Sequence, residues 1–294
     1  MIKINTKKIN NILYKINKGE KLKRSETIFH QNIIGTLNSN VLYEYTSDEI
    51  EEYIKCYNSP IYFISNYCKI NTENGINQVK IFDYQEEIIN HYLNNRFCLI
   101  NKSRQIGYDL FINCIFLWEI LFHKKTILNI SHKNQSSHNY IEKIREIYLH
   151  LPYFLKQPII NFNKNNIKFI NGGFIKSYTQ SKFVLGSNYN IINLHDFSYY
   201  NTNSQNDLLN ITPVISALST SKLLINGNPN KINDFYHNLY INSKRKEKDP
   251  LKNMFKTLDI YWWEIPNRDN NWKENIINLI GQNAFDKEYD LKFI

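Results

Sequence analysis

The stretch Cys98-Leu99-Ile100-Asn101-Lys102-Ser103-Arg104-Gln105-Ile106-Gly107-Tyr108-Asp109-Leu110 decides how this chain is read. Its apolar opening predicts a short buried strand, its middle a tight polar loop, and the apolar run from Tyr108 to about His123 a helix. Strand, glycine-bearing loop and helix in that order is the setting of a phosphate-binding loop, G-x-x-x-x-G-K-[ST]. There, backbone N–H groups cradle phosphates, the lysine offsets their charge and the hydroxyl holds magnesium. Gly107 stands at the second glycine, but Lys102 occupies the first glycine position, Tyr108 the lysine position and Asp109 the hydroxyl position. The scaffold of a nucleotide site is legible, while the side chains that would do its chemistry are replaced. The rest of the chain has to decide between an altered site and a coincidence.

Working outward, Asp83-Tyr84-Gln85-Glu86-Glu87-Ile88-Ile89 predicts a helix leading to Arg96 and the loop strand. Beyond the loop helix, residues 126–130 predict a buried strand and residues 134–149 a helix. Residues 166–170 and 174–178 flank Asn171-Gly172-Gly173, a hairpin signal. Asn190-Ile191-Ile192-Asn193-Leu194-His195-Asp196 reads as a strand with a polar end. Residues 207–218 read as a helix that Pro213 should interrupt, and residues 221–226 as a further strand. Strands alternating with helices predict an α/β fold with a mostly parallel sheet, in which ligands bind at the carboxyl ends of the strands. Gly107, Asp196 and Gly227 all follow strands and are expected to line one crevice.

Upstream, Thr46-Ser47-Asp48 ahead of Glu49 predicts a capped helix start, and Ser59-Pro60 another. Residues 1–27 are basic and amphipathic, either a surface helix or an arm for nucleic acid or a partner. Residues 1–75 are therefore expected to form a helical N-terminal subdomain, and residues 76–294 the domain that carries the loop. The net charge is +9 across 294 residues. That balance suits a polyanionic partner, although Lys- and Asn-rich coding from an AT-rich genome gives the same excess. Cys56, Cys68, Cys98 and Cys114 show no C-x-x-C pairing, and the last two sit in apolar runs, which favours reduced core thiols over zinc or disulfides. Neither a signal peptide nor a membrane-spanning run is evident. Tyr261-Trp262-Trp263 reads as core or subdomain packing, with base stacking as the alternative.

Taken in order, these segments resemble the ATPase domain of the large terminase subunit of tailed bacteriophages, of the T4-like type. Asp83-Tyr84-Gln85 resembles the family's adenine-recognising motif. Asn101-Lys102-Ser103-Arg104-Gln105-Ile106-Gly107 is similar to its variant phosphate loop, where Ser-Arg-Gln-x-Gly precedes Lys-Thr. Residues 191–200 resemble the second motif, a strand ending in Asp-Glu. Asn228-Pro229-Asn230 with Phe235-Tyr236 resembles the coupling motif, Thr-Thr-Pro-Asn-Gly followed by Phe-Tyr. Trp272, Gly281, Phe285, Glu288-Tyr289 and Phe293 are similar to the pattern near the end of that domain. The resemblance covers roughly residues 60–294 and implies a P-loop NTPase fold of the ASCE type.

It also implies a nucleotide-binding set: Tyr84, Gln85, Arg96, Ser103, Arg104, Gln105, Gly107, Tyr108 and Asp109. The second-motif carboxylates fall on His195 and Asp196, and the coupling threonines on Asn226, Gly227 and Asn228. A family arginine corresponds to Leu185, ahead of Gly186. Asp196, one methylene shorter than Glu, is the remaining catalytic candidate. Losing the loop lysine removes an attraction to phosphate, and Asp109 adds a repulsion. Each unit pair at about 4 Å and an effective dielectric near 20 is worth roughly 4 kcal/mol. Together the two rival the binding energy of a micromolar ligand, about 8 kcal/mol. The family uses ATP and magnesium to move double-stranded DNA into proheads and usually carries a C-terminal nuclease domain, which is not expected within these residues. The resemblance thus implies DNA, portal and other terminase chains as partners, a ring, and the cytoplasm of an infected or lysogenic host. The altered motifs imply a nucleotide site that is inactive and binds neither cofactor tightly. The alternative is a repurposed, non-hydrolysing scaffold that binds DNA or portal.

Overall fold

The structure is a computed structural model that describes residues 45–179, 188–200 and 204–294. The basic, amphipathic residues 1–27, expected as a surface helix or an arm, and the Leu185-Gly186 correspondence lie outside the described residues. Helix α1 (Ser47–Asn58) begins as its sequence predicts. The Thr46 hydroxyl accepts from Glu49 N–H at 3.2 Å while Glu49 Oε2 accepts from Thr46 N–H at 3.0 Å. Ser59 caps α2 (Pro60–Tyr67) by accepting from Tyr62 N–H, with proline at the first position. After these two helices, the helical front piece expected over residues 1–75 runs into a hairpin. Strands β1 (Lys69–Thr72) and β2 (Gly75–Gln78) form an antiparallel hairpin, because Asn74-Gly75 supplies turn chemistry and Gly75 adopts φ +98°. Gln78 ties the hairpin to α2 by donating to the Ile64 and Cys68 carbonyls.

Next come α3 (Asp83–Asn94), β3 (Phe97–Lys102), the loop, and α4 (Tyr108–His123). They are followed by β4 (Thr126–Ser131), α5 (Asn134–His150), β5 (Ile159–Asn163), β6 (Asn166–Phe169), β7 (Phe174–Tyr178) and β8 (Ile191–His195). The chain continues through α6 (Ser204–Ala217), β9 (Lys222–Gly227), α7 (Phe235–Lys244), β10 (Lys256–Ile260), α8 (Asn270–Ile280) and α9 (Gln282–Glu288). Eight strands form one sheet in the order β10-β3-β9-β8-β4-β7-β6-β5. Every pair from β10 to β7 is parallel, and β7-β6-β5 is an antiparallel extension.

Helices α3, α4 and α5 cover one face, sharing a core with α1 and α2 through Cys56, Phe63, Ile64, Phe111 and Ile144. Helices α6 and α7 cover the other through Ile211, Ile215, Tyr236 and Leu239. Helix α4 is apolar nearly all round and is buried accordingly. Pro213 does not interrupt α6. Its ring lies on the exposed side, and burial of Ile211, Val214 and Ile215 offsets the roughly 3 kcal/mol that an internal proline costs. The four thiols are free and buried. Strands β5 and β10 were not expected from the sequence. A third cluster, Trp262, Phe285 and Tyr289 with Trp272, packs beyond β10, and the Trp262-Trp263 pair divides: Trp262 is buried and Trp263 is 55% exposed. No helix among the described residues is long and apolar enough to cross a membrane.

Candidate nucleotide site

The sheet order brings the expected segments together. β9 separates β3 from β8, so the loop after β3, the turn after β8 and the turn after β9 share one edge. The loop itself keeps a nest-like backbone. Gln105 (φ +56°) and Gly107 (φ +70°) are left-handed, and the N–H groups of Gln105, Ile106, Gly107, Tyr108 and Asp109 have no hydrogen-bond acceptor among the described residues. The Ser103 hydroxyl is likewise buried without a partner among them, while its N–H extends the sheet to the Ile260 carbonyl at 2.8 Å.

Tyr84 and Gln85 brace this loop from α3. The Tyr84 hydroxyl donates to the Ile106 carbonyl at 2.9 Å, and Gln85 Nε2 donates to the Tyr84 oxygen at 3.1 Å. Beside them opens a cavity of about 710 Å³, lined among others by Val79, Lys80, Phe82, Gln85 and Ile265. Tyr108 turns inward and is 3% exposed, and burial pushes its phenol well above the ordinary tyrosine value. Lys102 is 8% exposed, and its ammonium lies 5.4 Å from the Tyr108 ring centre and 3.3 Å from Asp196 Oδ1.

Asp109 and His195, expected at the hydroxyl and second-motif positions, meet directly: His195 Nε2 donates to Asp109 Oδ1 at 2.7 Å. Burial works to raise the Asp109 carboxyl. The His195 hydrogen bond, the His195 charge and Lys102 outweigh it and hold the group below the usual aspartate value. The Asp109 side chain still shows 57% of its surface, so the pair closes one corner of an open cleft. Asp196 is left-handed (φ +51°, ψ +47°), and its N–H donates to Asn226 Oδ1 at 3.2 Å. Asn226 in turn donates to Asn193 Oδ1 at 3.3 Å, and Asn193 donates to Asn129 Oδ1 at 2.7 Å. Gly227 is packed so closely that an added Cβ would lie 2.9 Å from the Ser198 hydroxyl.

On the solvent side, Arg104 pairs with Glu288 at 2.6 Å and donates to the Tyr199 hydroxyl at 3.2 Å. Its backbone N–H donates to the Glu288 carbonyl, which also accepts from Asn228. Arg96 is an expected site residue that is not brought in. It sits at the opposite end of β3 and donates to the carbonyls of Ile215, Leu218 and Ser221, because a residue that opens a parallel strand lies a full strand length from the loop that closes it. Sequence reasoning missed Glu288 and Tyr199 as site residues, and Arg268, which donates to the Arg104 and Gln105 carbonyls. The buried asparagines had a signal: each interrupts an otherwise apolar strand. Arg268 had none.

No protein-family model matches the sequence. Similar folds occur among solved structures. The large terminase ATPase domain of Thermus phage P74-26 superposes with a TM-score of 0.59 at 13% identity, covering 73% of this chain and 94% of that one. The HK97 bacteriophage large terminase gives 0.60 at 12% identity, covering 80% of this chain and 54% of that chain. The large terminase of a thermophilic bacteriophage, in complex with ADP, gives 0.56 at 8% identity, covering 73% of this chain and 54% of that chain. The chain therefore has the P-loop NTPase fold of phage large terminase ATPase domains. It spans about half the length of the HK97 protein and of the ADP-bound terminase.

Proposed function

We propose that this chain serves viral DNA packaging as a terminase-type ATPase domain that does not turn over MgATP. The observation that carries the reading is the Asp109–His195 hydrogen bond. With Lys102 on Asp196, it leaves both carboxylates at the metal corner already paired. The residues present do not fit a magnesium ion there, and phosphoryl transfer depends on charge neutralisation and positioning. The role that remains is to hold double-stranded DNA, portal or other terminase chains, in a ring or as a scaffold, in the host cytoplasm. The basic charge supports the DNA contact.

A second reading, a packaging ATPase with an unorthodox site, draws on the N–H groups of residues 105–109, which have no acceptor among the described residues, and on the cavity beside Tyr84. Calorimetry separates the two. The expected result is no binding of MgATP at micromolar concentration by the natural chain and no measurable hydrolysis. Tyr108→Lys with Asp109→Thr should recover some nucleotide binding on the remaining backbone donors, with hydrolysis still low. Tight MgATP binding by the natural chain favours the second reading.

A further inference from the structure

The third aromatic cluster reaches the loop through Glu288, which pairs with Arg104, and through Arg268. Arg268, in the turn ahead of α8, donates from both terminal nitrogens to the Arg104 carbonyl at 3.1 Å and from Nη2 to the Gln105 carbonyl at 2.9 Å. The guanidinium is held in place by aromatic faces, 4.7 Å from the Trp272 ring centre and 5.8 Å from that of Tyr289. Its planar fork suits the task, since its donors are fixed in one plane and meet the two carbonyls in a preset geometry.

A trans peptide is planar, so its C=O and the following N–H point in opposite directions. Fixing the Arg104 and Gln105 carbonyls on Arg268 therefore fixes the N–H groups of Gln105 and Ile106 on the far side of the loop. Tyr84 does the same to the next peptide by donating to the Ile106 carbonyl, which aims the Gly107 N–H. These three N–H groups open the run that has no acceptor among the described residues, beside the unpartnered Ser103 hydroxyl.

We propose that Arg268 is a positioning residue, a cation on the back of the loop that aims the Gln105 and Ile106 N–H groups at an oxyanion it never touches. The inference rests on reading the loop as a phosphate cradle. Donors already aimed need no rearrangement when an anion arrives, which is where their advantage over mobile donors lies. Loss of the fork should weaken oxyanion binding without any lost contact to the ligand.

Two arms test it. In the Tyr108→Lys, Asp109→Thr background, Arg268→Met keeps a side chain against Trp272 and removes the donors. Calorimetry with MgATP should then show about a tenfold loss of affinity, and Arg268→Lys an intermediate one, with thermal midpoints unchanged within a few degrees. In the otherwise natural chain, nitrogen-15 relaxation should show the order parameters of Gln105 and Ile106 falling from about 0.85 to below about 0.6 in Arg268→Met, while those of β3 hold. Unchanged order parameters overturn the positioning role, as does an affinity that ignores both Arg268 substitutions. A double variant that binds no nucleotide overturns the cradle reading instead, and the relaxation arm then decides alone whether Arg268 orders the loop.

Discussion

The Asp109 carboxylate, at the first turn of α4, accepts a 2.7 Å hydrogen bond from His195 Nε2 at the end of β8. The bond joins residues 86 positions apart in the chain. Asp109 and His195 form a hydrogen-bonded pair, and Lys102 with Asp196 forms an ion pair beside it. The Asp109–His195 pairing ties the first turn of α4 to the end of β8.

The buried asparagine chain should be costly to break. Asn193 is fully buried, and Asn193→Leu leaves Asn129 Oδ1 without its donor and Asn226 Nδ2 without one acceptor. An expected loss of about 2–4 kcal/mol follows from stranding those groups. Urea unfolding of Asn193→Leu, Asn129→Leu and the double variant should show the double costing less than the sum. Strict additivity would contradict the coupling.

Gly227 is required for space, because an added Cβ would meet Ser198 Oγ at 2.9 Å and Ser198 Cβ at 3.2 Å. Gly227→Ala should destabilise by about 1–3 kcal/mol. Ser198→Gly should relieve part of that cost, leaving the contact with the Ser198 backbone nitrogen. Equal costs in both backgrounds would place the strain elsewhere.

Burial pulls the Lys156 ammonium down to about 8, and Nζ donates to the Leu149 carbonyl at 2.9 Å. An unfolded lysine titrates near about 10.4. Between the two values the unfolded chain holds a proton that the folded chain has lost, so this residue's contribution to stability rises with pH across that window and is lowest below pH 8. The stability of Lys156→Met relative to the natural chain should therefore fall from pH 7 to about pH 10.4, by up to about 3 kcal/mol. Denaturant titrations of both proteins at the two pH values check the sign, and a rising difference would refute it.

With a net charge of +9, the protein should bind double-stranded DNA weakly and lose affinity steeply between about 50 and 200 mM salt. Fluorescence anisotropy across that range is the measurement. A flat response would argue against contact with the phosphate backbone.

Much of the fold was legible because it is written in local chemistry. Ile-, Leu- and Cys-rich runs of strand length marked β3, β4, β8 and β9, and Thr46 and Ser59 announced their helices. β5 and β10 escaped notice because they lie at the sheet's edges and are only partly buried, with burial that does not alternate cleanly. Pro213 misled because tertiary burial of its neighbours outweighed a local penalty. Arg96 was misplaced because sequence adjacency to β3 does not say which end of the strand a side chain serves.

The sequence by itself determined that Gly107 closes a strand–loop–helix turn, that Tyr108 and Asp109 open the helix after it, and that Asp196 and Gly227 follow strands. These follow from periodicity and turn chemistry, which act over a few residues. Only the tertiary structure decided that Asp109 meets His195, that Lys102 meets Asp196, and that Arg268 and Glu288 close on the loop from a separate cluster. Those contacts join residues brought together by strand order and crossover connections, and hydrogen bonds at 2.6–3.3 Å are decided by that packing and not by spacing along the chain.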